Sequence, residues 1–281
     1  MTAQLVLVAT PLGNMADLSP RAISTLSSAH TVACEDTRRT GQLLHLAGVT
    51  AKRLVPVHEH NEASMIPVIL GLLGAGETVA LVTDAGLPGI SDPGSRLVAA
   101  AAAGGFDVSV IPGPSAVVAA LVVSGLATDR FVFEGFLPRK GADRRARLEA
   151  IAGEPRTVVL YEAPHRLVAT LNDLTAVCGA SRRVVLVREL TKLYEEIWRG
   201  TLGEAVTLAA EPRGEYVVVL DGAPPASAAT DADIEAALVE ELALDGDRRA
   251  AVTAVAASLR VPKRRVYEAA LRLGKTGNVL H

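Results

Sequence analysis

Thr78-Val-Ala-Leu-Val-Thr83 followed by Asp84-Ala-Gly-Leu-Pro-Gly-Ile-Ser-Asp-Pro-Gly94 is the stretch whose reading decides the fold. The first six residues are short, apolar and β-branched, the composition of a strand buried on both faces. Three glycines and two prolines then impose an irregular backbone, leaving amides and carbonyls free to meet a ligand. Ser95–Ala103 reads as a helix closed by Gly104-Gly105, and Asp107–Ile111 as the next strand. Strand, loop, helix and strand make one unit of a parallel α/β sheet.

Working outward, Leu5–Val8, Thr31–Cys34 and Arg53–Val57 are further runs of the buried parallel kind. Ser19-Pro20 is a cap with proline at the first helical position, opening a helix to Ser28. Arg38–Leu46, Ala63–Leu73 and Ser115–Val123 are helical patterns. Residues 1–124 are therefore expected to form a doubly wound α/β domain. Gly125–Arg130 reads as a hinge into a second α/β domain, residues 125–222. Its expected strands are Arg130–Glu134, Thr157–Tyr161, Arg183–Arg188, Glu195–Arg199 and Glu215–Leu220. Its expected helices are Arg144–Ala152, Pro164–Val177 and Leu202–Ala210. Two strands in direct succession, Arg183–Arg188 and Glu195–Arg199, predict a hairpin and a mixed sheet. Residues 223–281 begin with a Pro-, Ser- and Ala-rich linker. They continue as three short helices, Asp231–Leu244, Asp247–Leu259 and Lys263–Leu273, with Arg260-Val-Pro as a helix-turn-helix corner.

A length of 281 residues suits about two domains at roughly 150 residues each. Hydrophobic residues at 49% and charged residues at 21% fit a globular chain rather than a disordered one. The net charge of −3 excludes a global positive field, so any nucleic-acid contact must come from local basic patches. Aromatics at 3% argue against broad base-stacking platforms. Two cysteines, Cys34 and Cys178, exclude a disulfide scaffold and read as buried thiols. The Met1-Thr2-Ala3-Gln4 start shows no signal peptide. The apolar run Ala116–Ala127 is too short for a bilayer, which needs about 20 residues. A cytoplasmic protein without membrane contact is expected.

Ligands of open α/β sheets bind beyond the carboxyl ends of the strands. The loops at those ends are long and rich in Gly, Pro, Asp, Glu, Asn and His. The first, Thr10-Pro-Leu-Gly-Asn14, lacks G-x-G-x-x-G, and its helix starts late; no G-x-x-x-x-G-K-[ST] follows elsewhere. NAD(P) and ATP are therefore not expected. Asp84 and Asp92 are anionic caps suited to a cationic or amine-bearing ligand, or else caps for the next helix.

Eight motifs occur in order: Thr10-Pro-Leu-Gly-Asn14, Glu35-Asp-Thr-Arg38, Val82-Thr-Asp-Ala-Gly86, Ser91-Asp-Pro-Gly94, Pro112-Gly-Pro-Ser115, Glu134-Gly-Phe-Leu-Pro138, Tyr161-Glu-Ala-Pro-His-Arg166 and Arg188-Glu-Leu-Thr-Lys192. With them, Leu5 to Leu220 resembles the tetrapyrrole-methylase superfamily, and within it the branch that modifies small-subunit ribosomal RNA. The helical tail resembles the extension seen in that branch. The resemblance implies a homodimeric S-adenosylmethionine (SAM) enzyme. Its reaction would be methylation of a cytidine ribose 2′-oxygen in the decoding region of 16S rRNA on the small ribosomal subunit. It implies a cofactor cleft between the two α/β domains, touching Leu12, Asp84, Gly86, Leu87, Pro88, Ile90, Ser115 and Ala116 on one side. Tyr161, Glu162 and Leu190 would close the other side, with the Glu215-Tyr216 strand start as a further contact. Leu87 stands where relatives often carry a small hydroxyl residue, which removes a side-chain hydrogen bond and leaves backbone contacts.

A ribose hydroxyl is a weak nucleophile, and a base in reach would add about 10²–10⁴-fold. Glu35, Asp36 and His58 at the strand ends are the candidates; for Glu35-Asp36 the competing reading is helix capping before Arg38. His58-Glu-His60 with two glutamates hints at zinc, but adjacent residues of a strand point to opposite faces, which parts Glu59 from the two histidines, so no metal site is expected. Arg139, Lys140, Arg144 and Arg145 form a local cationic run, and Arg38, Arg39 and Arg166 add cations at the cleft; all are candidates for RNA phosphates or for solvated helix faces. Lys263-Arg264-Arg265 puts cations at a helix start, against the dipole. Two other readings keep the residues but change the role: methylation of a tetrapyrrole carbon, or a nucleic-acid-binding regulator on an inactive fold.

Overall fold

The computed structural model describes residues 3–209, 211–225, 229–245, 247–259 and 261–276. The chain divides into two compact units, Met1–Ala223 and Pro224–His281. Met1 and Thr2 of the expected start, Ala210 at the end of an expected helix, residues 226–228 of the linker and Arg260 of the corner lie outside the described residues.

The first unit holds two α/β layers. Strands β1 (Gln4–Val8), β2 (Thr31–Cys34), β3 (Leu54–Pro56), β4 (Val79–Val82) and β5 (Asp107–Ile111) form an all-parallel sheet in the order β3-β2-β4-β1-β5. Helices α1 (Pro20–Ser28) and α2 (Thr37–Leu46) lie on one face around Val6, Val8, Leu26, Val32, Leu44 and Val82. Helices α3 (Glu62–Gly74) and α4 (Ser95–Ala103) cover the other around Leu5, Ile69, Leu73, Leu81 and Leu97. Ser19 caps α1 as its sequence predicts, accepting from the Ala22 amide at 3.1 Å. The central strands are buried, but both edge strands correct the expectation of five buried strands: β3 is only part-buried, with Pro56 exposed, and β5 departs further. It pairs only with β1, and Asp107–Val110 are exposed because an edge strand is covered on fewer sides.

The second sheet has the order β6-β7-β10-β8-β9, from β6 (Phe131–Phe136), β7 (Thr157–Glu162), β8 (Arg183–Arg188), β9 (Glu196–Thr201) and β10 (Tyr216–Leu220). Strands β6 and β7 are parallel, while β10 runs antiparallel to β7 and β8, and β8 and β9 form the expected hairpin pair. The sheet is mixed, as expected. Helices α6 (Ala142–Gly153), α7 (Pro164–Cys178) and α8 (Leu202–Leu208) pack on one face through Leu148, Ile151, Leu167, Leu171 and Leu202.

Helix α5 (Ala116–Ser124) covers the other face of this second sheet. Its Val117, Ala120 and Leu121 pack with Val159, Val185, Val187, Val217 and Val219. Arg199 of β9 closes the helix end by donating to the carbonyls of Val123 and Ser124. Sequence order places residues 116–124 in the first domain, yet they pack on the second sheet. A helix that is apolar nearly all round must bury a face, and the valines of the second sheet supply it, leaving Val118 and Val122 exposed. Cys34 is buried as expected; Cys178 is only half-buried.

The second unit is a three-helix cluster, α9 (Asp231–Asp245), α10 (Arg248–Ser258) and α11 (Lys263–Thr276). Its core is Ile234, Leu238, Ala251, Val255, Val266 and Ala269.

Candidate active site

The carboxyl ends of β1, β4 and β5 converge because β1 lies between the other two. The loops after β1 and β4 are tied by an antiparallel bridge: the Thr10 amide donates to the Gly86 carbonyl at 2.9 Å, and the reverse bond is 3.1 Å. Thr10 is fully buried and its hydroxyl donates to the Thr83 carbonyl at 3.1 Å. Gly86 has φ +80, and a Cβ there would stand 3.3 Å from Leu12 Cδ2. Only glycine fits this turn without strain.

The β4 loop is then closed by the Gly89 amide donating to the Pro93 carbonyl at 3.2 Å. Its far end is held by Glu62, a buried carboxylate that accepts from the amides of Gly94 at 2.9 Å and Leu97 at 3.1 Å. Glu62 so replaces the N-cap side chain that Gly94 lacks at α4. Its place in His58-Glu-His-Asn-Glu62 reads in sequence like part of an acid–base cluster, and only the fold reveals the cap.

Above these loops lies a cavity of about 400 Å³, within the usual range for small-molecule sites. Of the expected cofactor residues, Leu12, Gly86, Leu87, Ile90, Ser115, Ala116, Tyr161, Glu162 and Leu190 line it. Pro88 and Asp84 do not. Glu215 and Tyr216, the strand start expected to help close the cleft, line it as well, whereas Phe136, Val187, Lys192 and Val217 line it with no cofactor role expected for them. Phe136 follows a bulge in β6, where Gly135 at φ +63 shifts the register against β7. Pleat alternation from sequence does not anticipate that shift. Glu189 and Thr191 carry positive φ of 49° and 63°, which sets Leu190 at the wall. Lys192 bridges Glu189 at 3.0 Å and Glu215 at 2.7 Å.

Asp92 is one of three carboxylates in the cavity lining, with Glu162 and Glu215. Burial, together with the charges of Glu35 and Asp84, pushes it up to about 7, against the opposing hydrogen bond from the Thr83 hydroxyl. Tyr161 is pushed up to about 12 by burial and by the charge of Asp92, and its oxygen accepts from the Val117 amide of α5. Its ring packs edge-on against Phe133 at 5.0 Å and is tilted against Phe136 at 5.6 Å.

The three expected bases stand behind this wall. None of Glu35, Asp36 and His58 lines the cavity. Glu35 is raised by burial and by Asp84, whose amide donates to it. Asp36 takes the capping alternative: it accepts from the amides of Arg38 at 2.8 Å and Arg39 at 3.4 Å at the start of α2. His58 Nδ1 and Asp84 Oδ1 are buried atoms with no hydrogen-bond partner among the described residues. The other Asp84 oxygen accepts from Arg39 at 2.8 Å.

The expected RNA cations separate into two groups. Arg139, Lys140 and Arg145 are exposed, as are Arg38, paired to Asp36 at 3.3 Å, and Arg39. Arg144 is turned inward and donates to Asp173, Thr170 and the Pro138 carbonyl. Arg166 likewise bonds the Leu137 carbonyl at 2.6 Å and pairs with buried Glu162 at 3.3 Å. These two guanidiniums serve the fold, and the sequence run gives no sign of which cations turn inward. No group of metal-binding residues occurs among the described residues.

Two α/β layers border a cleft floored by Gly-Pro loops, a two-lobed small-molecule site. The family profile for tetrapyrrole (corrin/porphyrin) methylases matches residues 4–206, and the chain belongs to that family. It is 44% identical over 277 residues to ribosomal RNA small subunit methyltransferase I of Synechocystis sp. (strain ATCC 27184 / PCC 6803 / Kazusa), covering 97% of this chain and 99% of that one. Its counterpart of the same name in Escherichia coli O157:H7 is 44% identical over 245 residues, covering 86% and 84%. Among solved structures, uroporphyrin-III C-methyltransferase from Thermus thermophilus complexed with S-adenyl homocysteine aligns with a TM-score of 0.56 at 21% identity. That alignment covers 78% of this chain and 97% of the other, and shows the shared fold.

Proposed function

We propose that this protein is a SAM-dependent methyltransferase that methylates the ribose 2′-oxygen of a cytidine in the decoding region of 16S rRNA. The carrying observation is a methylase cavity lined by nine of the expected cofactor residues, in a chain similar along nearly its whole length to small-subunit rRNA methyltransferases. The cavity fits the donor: its walls are largely apolar, its floor is glycine backbone, and Asp92 and Glu215 supply anionic acceptors. SAM, when bound, supplies a methyl group made electrophilic by the sulfonium.

The chain's own part is positioning and proton acceptance. Loops fixed by the Thr10–Gly86 bridge and the Glu62 cap hold the floor rigid, which favours an in-line approach. Asp92, facing the cavity and raised toward neutrality, is the proton acceptor for the ribose hydroxyl in this reading. Glu35 and Asp84 act on it through their charge. Arg139, Lys140 and Arg145, with Arg38 and Arg39, contact phosphates. A cytoplasmic homodimer completes the reading. Val108 and Val110, exposed on edge strand β5, offer an uncovered apolar edge for a second copy, and no helix of the described residues is long and apolar enough to cross a membrane.

The test is methyl transfer from labelled SAM to 30S subunits, naked 16S rRNA and uroporphyrinogen, with mapping of the modified nucleotide. A single methylated cytidine ribose is expected on the ribosomal substrate. Transfer only to the tetrapyrrole, or absence of SAM binding by calorimetry, overturns the proposal.

A further inference from the structure

Charge is segregated within the helical unit. Helix α9 carries six Asp or Glu and no Lys or Arg, whereas residues 247–276 carry eight Lys or Arg against two Asp or Glu, in a chain of net charge −3. The acidic helix neutralises only one side of α11. Arg265 pairs with Asp231 at 2.8 Å, and Arg272 pairs with Asp231 at 3.2 Å and Glu235 at 3.3 Å.

The remaining cations sit together. The Thr253 hydroxyl joins α10 to α11, donating to the Arg249 carbonyl at 3.1 Å and accepting from Lys263 Nζ at 3.4 Å. Arg248, Arg249 and Lys263 have no carboxylate partner among the described residues. Arg264 is 90% exposed, with only a solvated pair to Glu268 at 3.4 Å. Tyr267, one turn on, is 52% exposed. Three cations stand in the first turn and oppose the helix dipole, and of them only Arg265 is paired to Asp231, so the arrangement weakens α11 by itself. An anionic partner reverses that cost.

We infer that Arg249, Lys263, Arg264 and Tyr267 form a second nucleic-acid surface, which takes the phosphate backbone of the RNA substrate. The cations suit phosphates, which carry no base identity, and the tyrosine adds a contact to sugar or base. This inference rests on the rRNA reading above.

The experiment uses the full chain and a labelled 16S rRNA fragment, measured by anisotropy across a salt series. Wild type is compared with the triple variant Arg249→Glu, Lys263→Glu, Arg264→Glu and with the milder pair Lys263→Gln, Arg264→Gln. The triple variant is expected to bind at least tenfold more weakly. Its log affinity against log salt should be flatter by about 0.7 for each lost contact. SAM affinity by calorimetry stays unchanged. If the triple variant melts early, the glutamine pair is decisive, with a slope flatter by about 1.4 on the same basis. Unchanged affinity and slope in a folded variant overturn the inference, as does an altered oligomeric state with RNA binding intact. Equal losses on duplex DNA of the same length, bound as tightly as the rRNA, overturn its assignment to RNA. Continued 30S methylation alongside unchanged RNA affinity sinks this surface alone, whereas a folded wild type that methylates no ribosomal substrate sinks the functional reading beneath it.

Discussion

At Asp92 a single carboxylate carries both a catalytic and a stability consequence. It must be ionised to accept a proton, so turnover with saturating SAM is expected to rise with pH through about 7. Asp92→Asn should lower kcat, read at saturating SAM, by about 10²–10⁴-fold. Full turnover with a wild-type pH profile in this variant excludes the role. The stability sign runs the other way. A carboxyl raised in the folded state binds its proton more tightly there than in the unfolded chain, so stability falls as pH climbs from about 4 toward 7. Asp92→Asn should therefore raise the melting temperature at pH 8 and change it little at pH 4. Gly94 is a second residue whose identity is fixed by geometry. At φ +129, with an added Cβ 2.8 Å from Leu81 Cδ2, Gly94→Ala is strained in its backbone and clashes with the core. A destabilisation of about 1–3 kcal/mol, read by denaturant melting, is expected. The glycine-rich loop was legible as a ligand loop because such compositions leave few alternatives. Which of its aspartates faces the cavity was not, since Asp84 and Asp92 are both plausible caps until the neighbouring strands place Arg39 beside one of them.

Among the elements, α4 shows a helix start completed from a distance. Its N-cap is Gly94, which has no side chain, and Glu62 of α3 supplies the missing acceptor 32 residues away. Glu62→Ala should destabilise the fold by about 1–3 kcal/mol for each buried amide left unpaired, lowering the melting temperature. Glu62→Gln, which keeps one acceptor oxygen, should retain much of it. Equal melting of the alanine variant and wild type removes the capping account. The same element-scale logic separates the cations of α6. Arg144→Ala deletes bonds to Asp173, Thr170 and Pro138, so it should lower stability without changing the salt dependence of RNA binding. Loss of RNA affinity in that variant at unchanged stability contradicts this division. Helix starts at Ser19 and Asp36 were readable because their caps are local, two or three residues from the amides they serve. The cap of α4 was not, because its partner is brought in by the sheet.

On the scale of the whole molecule, the net charge of −3 conceals separate cationic patches, one at Arg139, Lys140 and Arg145 and one within the helical unit. Replacing Arg139, Lys140 and Arg145 by alanine should flatten the log–log salt slope of RNA binding by about 2, from roughly 0.7 per phosphate contact on single strands. A slope equal to that of wild type places the RNA elsewhere. By itself the sequence determined the order of strands and helices, the hairpin of β8 and β9, and the Gly-Pro loops that floor the cavity. Each of these follows from periodicity, capping and turn chemistry within a few neighbouring residues, and the ordered motifs tied them to one family. Only the tertiary structure decided that α5 covers the second sheet, that β5 is an exposed edge, that Arg144 and Arg166 turn inward, and that Asp92 rather than Glu35, Asp36 or His58 borders the cavity. Those outcomes depend on partners brought together from distant positions by the strand orders β3-β2-β4-β1-β5 and β6-β7-β10-β8-β9, which no local pattern encodes.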